Sequence, residues 1–383
     1  MPANVIDEVT ASMVIAKAVC AICGHEEHSL IGHLRDVHGI TKEEYLAKYP
    51  GKQLISELGK VVYERILKRE DIASTAAQTD FMSVETFGVG FGTDGKVSKP
   101  IKGYSGFTEA DGVPGADPNY IFPADVTRDV LMGMSVGARI YASGPTGSGK
   151  TTLFEQIANR LGRPFWRQQF HKHMEPVELL GTWTVGSDGA MQYLYSGFVE
   201  ALRKPAVICL DEFDSGNPGC TAIANAILER KPLVLSNKAG ELVVPHPDSI
   251  IVATGNTTGM GDETGLYTST DVQSYATMNR FGMHTTIGYL AEAVEIDLLR
   301  RIYPKMPTPE INDMVKTANL IRDGFVGGKI TCPISTRQLI AWGQWMSMTG
   351  KPRRAFDLSF ANAINAQDRK VVDELYQRVY GKR

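Results

Sequence analysis

The chain has 383 residues, 43% of them hydrophobic and 22% charged, with a formal net charge of −3. That is an ordinary soluble composition, long enough for two or three folded units with a substantial core, and its charge gives no general drive towards nucleic acid. No run approaches the roughly 18 to 20 uninterrupted apolar residues of a membrane helix, and the opening "MPANVIDEVT" carries acids where a signal peptide carries bases, so a cytoplasmic protein is expected.

The first element is "CAICGHEEHSLIGHLRDVHG", which reads Cys20-x₂-Cys23-x₉-His33-x₄-His38. Two thiolates on a knuckle and two imidazoles on a following helix suit tetrahedral Zn²⁺, and metal binding is expected to fold so small a unit. His25 and His28 are spare imidazoles able to substitute as ligands. Residues 1–70 hold nine Lys/Arg against ten Asp/Glu, and Arg35 is the one cation near the ligands on the finger helix. Phosphate neutralisation normally supplies most nonspecific nucleic-acid affinity, so a finger that docks a protein is favoured over one that reads DNA. The other cysteines, Cys209, Cys220 and Cys332, read as reduced structural thiols.

Residues 1–50 are thus a finger region, and 51–115 a helix plus flexible linker. Leu54, Leu58, Val61, Val62 and Ile66 recur at helical spacing, and Gly and turn formers follow. Residues 116–290 alternate apolar runs with helical patterns ("ARIYASG", "PFWRQQF", "PAVICLDE", "SIIVATGN"), the pattern of a parallel sheet between helix layers. From residue 291 strands give way to helical segments, predicting a helical lid over 291–383. Alternating runs around "GSDG" and "NKAG" predict two β-hairpins. His171 and His173 in "QFHKHMEP" read as surface or interface residues rather than cobalt ligands.

"GPTGSGKT" fits the phosphate-loop pattern between a strand and a helix. Gly144, Pro145, Thr146, Gly147, Ser148 and Gly149 form the loop, whose N–H groups, Pro145 having none, turn inward; Lys150 reaches the terminal phosphates of ATP, and Thr151 offers a hydroxyl to Mg²⁺, with Thr152 beside it. In "AVICLDE", Asp211 is expected in the Mg²⁺ shell and Glu212 is placed to polarise an attacking water, which implies hydrolysis. Asn256, ending "SIIVATGN", is expected to orient that water. Arg280 in "ATMNRFG" and Arg337 in "ISTRQL" are arginines that spacing alone leaves open between surface and site.

This order of motifs resembles an AAA+ ATPase. With "DPNYIFPADVT", "GNTTGMGDETGLY", "MNRF" and "ISTRQLIAWG", it resembles the MoxR branch, and within that branch the CobS type of cobaltochelatase subunit. The finger resembles the prokaryotic Ros/MucR type. The resemblance implies a P-loop AAA+ three-layer α/β sandwich with a C-terminal helical lid, plus the small zinc finger. It also implies that Arg280 reaches the neighbouring subunit's site, that Arg337 is the lid arginine sensing the γ-phosphate, and that subunits close into a hexameric ring. It further implies a protein partner with a metal-dependent adhesion domain and a large subunit inserting Co²⁺ into a corrin, although nothing here resembles a tetrapyrrole pocket. A remodeller brought to nucleic acid by its finger is the alternative.

Overall fold

The structure is a computed structural model that describes residues 17–27, 30–56, 78–81, 86–89, 101–186, 189–262, 267 and 270–381. Its contacts divide the chain into two units, Met1–Thr75 and Ala76–Arg383. Among the described residues, no helix is long and apolar enough to cross a membrane.

In the first unit a two-stranded antiparallel hairpin, β1 (Ala18–Val19) and β2 (Glu26–Glu27), precedes α1 (Ile31–His38) and α2 (Lys42–Lys48). Thr41 and Glu44 form a reciprocal capping box that starts α2, satisfying backbone N–H groups that a helix end leaves unpaired. Among the described residues the unit's core is Ala18, Cys20, Leu30, Leu34 and Tyr45, and the Tyr45 hydroxyl accepts the Ala21 N–H at 2.7 Å. Leu54 packs on this core from a bend, and its carbonyl accepts the Leu30 N–H at 2.9 Å, so it belongs to the finger rather than to a helix beginning there. Leu58, Val61, Val62 and Ile66 of the expected connector helix lie outside the described residues.

The second unit is built on a five-stranded sheet in the order β13-β5-β12-β9-β6. The strands are β5 (Ile140–Ser143), β6 (Phe165–Gln169), β9 (Val207–Asp211), β12 (Ile250–Gly255) and β13 (Met283–Thr286), and every pairing is parallel. Central strands buried on both faces need apolar side chains in both directions, which is why β9 and β12 read as unbroken apolar runs. Ile208, Leu210, Ile251 and Ala253 enter one core; Val207, Cys209, Val252, Ile140 and Ala142 enter the other. The alternating α/β pattern over 116–290 is therefore a layered P-loop sandwich. β13 was not foreseen: it is an edge strand of "MHTT" with half its side chains exposed, so it lacks the apolar run that marks its neighbours.

Both hairpins are present. β7 (Gly181–Val185) pairs with β8 (Met191–Tyr195), and β10 (Leu233–Leu235) with β11 (Glu241–Val243). They lock together through Asn237, whose side-chain N–H donates to the Gly181 carbonyl at 2.7 Å and whose oxygens accept from Trp183 and Tyr193. Part of the linker is also built in: β3 (Gln78–Phe81) pairs with β4 (Ile101–Tyr104), and Tyr104 donates its N–H to Leu161 and its hydroxyl to Asp248. From Glu292 onward the described chain is helical, with a third core around Trp342, Phe356, Met314 and Ile321.

Candidate functional site

The phosphate loop joins the C-terminal end of β5 to the helix Lys150–Arg160. Close approach explains two of its glycines. A Cβ on Gly144, whose φ is +152°, would meet the Ile287 carbonyl at 2.1 Å, and one on Gly147, whose φ is +73°, would meet the Ser335 side chain of the lid at 2.6 Å. The buried Lys150 ammonium donates to the carbonyls of Gly144 at 2.8 Å and Pro145 at 3.0 Å, and to Asn256 Oδ1 at 3.1 Å. Burial pushes its pKa down to about 8, against the pull of the nearby carboxylates Asp214, Asp211 and Glu212. Among the described residues the buried Ser148 hydroxyl of the loop has no hydrogen-bond partner, an orphan of the kind that an anion in the loop would satisfy.

Parallel pairing aligns the ends of β9 and β12 with that loop. Asp211 is buried; its Oδ1 accepts the Thr151 hydroxyl at 2.8 Å and the Thr254 hydroxyl, and its Oδ2 receives the guanidinium of Arg167 from β6. Glu212 follows with φ +53°, a left-handed backbone that costs a non-glycine residue about 1 to 3 kcal/mol and is typical of functional sites. Its N–H is held by the Thr254 hydroxyl at 3.2 Å, and its carboxylate accepts the Gln169 amide at 2.9 Å. Asn256 meets Lys150 and also accepts the Thr146 hydroxyl at 3.3 Å. The buried Asp214 carboxylate takes the N–H groups of Asn256 and Thr257, each at 2.8 Å, and so fixes the end of β12. Burial raises its pKa, although these N–H groups work in the opposite direction.

The helical C-terminal region contributes Arg337 at the start of the helix Thr336–Thr349, whose first turn is closed by a Ser335–Gln338 capping box. A buried network seats that turn: Glu295 accepts a two-pronged Arg322 guanidinium at 2.7 and 2.9 Å and the Thr336 hydroxyl at 2.7 Å. Tyr289 lies under Arg322 at 4.3 Å and donates its hydroxyl to the Thr146 carbonyl at 3.3 Å. A cleft of about 130 Å³ results, lined by Thr146, Gly147, Gly149, Lys150, Thr151 and Thr152 together with Arg167, Asp211, Glu212, Asn256 and Arg337. Thr151 and Asp211 offer it hard oxygen ligands of the sort a small divalent cation takes.

Arg280 is not brought into this cleft. It follows the short helix Tyr275–Met278, partly exposed, with Nε on Glu229 at 2.5 Å and Nη1 on the Ala276 carbonyl at 2.6 Å. Arg167, Gln169, Thr254 and Asp214 were missed in the sequence. The available signal was the period of two along β6, which sends Arg167 and Gln169 to the same face, with Gln169 in register with Asp211. His171 and His173 are exposed, as expected.

In the first unit, the ligand atoms of Cys20, Cys23, His33 and His38 all lie within 4.8 Å of one another. The imidazole and thiol contacts are 3.2 to 3.6 Å: Cys20 to His38 at 3.6, Cys23 to His33 at 3.2, Cys23 to His38 at 3.4 and His33 to His38 at 3.2 Å. A tetrahedron with metal–sulfur bonds of about 2.3 Å and metal–nitrogen bonds of about 2.0 Å has edges of roughly 3.3 to 3.8 Å, which these four contacts approach, and two thiols with two imidazoles are a donor set of the kind Zn²⁺ takes. Burial works to raise the Cys20 thiol, but the N–H groups of Ile22 and Cys23 hold it below its ordinary value, the thiolate direction a metal ligand needs. His25 instead stacks on His33 with centroids 4.4 Å apart and faces Glu27, which leaves it outside the four. His28 and the Arg35 side chain lie outside the described residues.

Two family models match the chain: the AAA domain of the dynein-related subfamily over residues 143–281, and the CbbQ/NirQ/NorQ C-terminal domain over 298–379. Over 276 residues, 70% of this chain and 83% of the relative, it is 30% identical to the aerobic cobaltochelatase subunit CobS of a Sinorhizobium species. It is 33% identical over 142 residues to midasin of Dictyostelium discoideum, 37% of this chain but 2% of midasin. It is 29% identical over 136 residues to protein CbbQ of Hydrogenophilus thermoluteolus, 36% of this chain and 50% of CbbQ. Both matched domains fall where the sheet and the lid lie, and the extent of the CobS match settles the assignment: the chain belongs to the MoxR branch of the AAA+ ATPases, alongside CobS, CbbQ and NorQ.

Proposed function

We propose that this ATPase is Mg²⁺-dependent, forms a head-to-tail hexameric ring, and uses ATP hydrolysis to remodel a protein partner. The observation that carries this reading is the convergence of the phosphate loop, Asp211, Glu212, Asn256 and Arg337 on one cleft while Arg280 stands apart from it. The loop N–H groups and Lys150 bind the phosphates, and the Ser148 hydroxyl gains a partner there. Thr151 and Asp211 hold Mg²⁺, which when bound neutralises charge on the phosphates. Glu212, exchanging its Gln169 contact for water, polarises the nucleophile, and Asn256 orients it between Lys150 and the carboxylates. Arg337 senses the γ-phosphate from the lid.

Arg280 serves the next subunit's cleft, which requires a head-to-tail interface that closes into a ring. Its cis partner Glu229 pre-sets the arginine without satisfying every guanidinium N–H. The finger, holding Zn²⁺ through Cys20, Cys23, His33 and His38, docks the partner, and the balanced charge of residues 1–70 supports a protein rather than nucleic acid. The specific version drawn from the CobS likeness is activation of a cobalt or magnesium chelatase through a partner carrying a metal-dependent adhesion domain.

The test is affinity purification of the Glu212→Gln protein from its native host in ATP, with the associated proteins identified by mass spectrometry. Recovery of an adhesion-domain protein with a large chelatase subunit is the predicted result. Recovery of nucleic-acid-bound proteins instead would mean the motor serves a different client.

A further inference from the structure

Arg167 sits beside the carboxylate read as the cation ligand, in a role that no motif assigns. Asp211 is 3% exposed, and each of its oxygens already has partners: the Thr151 and Thr254 hydroxyls on Oδ1, and Nε and Nη2 of Arg167 on Oδ2. Both side chains that would meet a divalent cation, Thr151 and Asp211, are thus tied to each other and to a guanidinium. A carboxylate buried without a counter-charge is costly, and the Arg167 guanidinium supplies that charge to Asp211. A guanidinium and a dication cannot share one carboxylate edge without repulsion.

Resting on the reading that Asp211 holds the cation, we propose that Arg167 is a built-in counter-ion of Asp211, released from it when a divalent cation loads, so that it sets the cation affinity of the site. Its geometry allows the release. The Arg167 side chain is 47% exposed and lines the open cleft, so its head can swing away while the strand stays put.

The experiment is a titration of Mn²⁺, read as free ion by electron paramagnetic resonance, into the full-length protein saturated with ADP. Subtracting the Asp211→Asn titration isolates this site from the finger. The Arg167→Gln protein is expected to take up Mn²⁺ about tenfold more tightly than the parent, the scale of removing one like charge a few ångströms from a cation in a partly solvated cleft. Arg167→Lys, which keeps the charge, should stay near the parent. Unchanged or weaker Mn²⁺ uptake by Arg167→Gln, with uptake lost in Asp211→Asn, would overturn the counter-ion role alone. Uptake that survives in Asp211→Asn would overturn the assignment of the cation to Asp211, and this proposal with it.

Discussion

The finger and the ATPase unit solve the problem of holding functional side chains in place by different means. In the first unit, five buried residues form the core among the described residues, and one of them, Cys20, belongs to the Cys/His group proposed to hold Zn²⁺. In the ATPase unit, Lys150, Asp211, Glu212 and Asn256 stand at strand ends or on the adjoining helix, supported by packed clusters on both faces of a sheet. Where little apolar surface is buried, site and fold are the same object; where much is buried, the site can be altered while the fold remains.

With Zn²⁺ held as proposed, chelating it from the full-length protein should produce the largest effect. A structural zinc contributes on the order of 10 kcal/mol to so small a unit, so amide protection over residues 17–54 should be lost. Hydrogen exchange should leave β9 and β12 unchanged, and loss of protection in both units together would break the distinction. Glu212→Gln is the converse case. Turnover should fall by about 10²- to 10⁴-fold with ATP affinity and thermal midpoint retained, as measured by phosphate release beside calorimetry. Ile208→Ala, in the core behind Asp211, should cost about 2 to 5 kcal/mol in urea unfolding of the ATPase unit and leave finger protection untouched.

The smallest effect concerns pH. In the nucleotide-free site Lys150 loses its proton near pH 8, burial having lowered its pKa, whereas phosphates favour the charged form. Binding therefore takes up a proton above that pH, and ATP affinity should decline as pH rises through 8, by at most about tenfold per unit. A fluorescent nucleotide titration at successive pH values checks the sign, and affinity that rises with pH would contradict it.

Much of this molecule was legible in its sequence because its chemistry is written in contiguous strings. The phosphate loop, "ICLDE" and the Cys/His spacing each name their residues. What escaped was chemistry assembled across strands. Arg167 and Gln169 meet Asp211 and Glu212 only through the β6–β9 register, and "FWRQQ" carries no sign of which strand will lie beside it. The Glu295–Arg322–Thr336 network that seats Arg337 joins three helices by hydrogen bonds that span 27 and 41 residues. β13 was invisible because an edge strand needs no apolar run. Leu54, at helical spacing with later residues, was claimed instead by the finger core, a tertiary contact overriding a local period.

In the proposed ring each active site is shared between subunits, with Glu212 from one and Arg280 from the next. Its most direct test mixes Arg280→Ala protein with Glu212→Gln protein, each inactive alone, and measures ATP turnover in rings shown by mass measurement to contain both. The account predicts recovery, because an interface can then pair the intact Glu212 of one subunit with the intact Arg280 of its neighbour. No recovery in rings proven to be mixed would mean that Arg280 does not act across the interface.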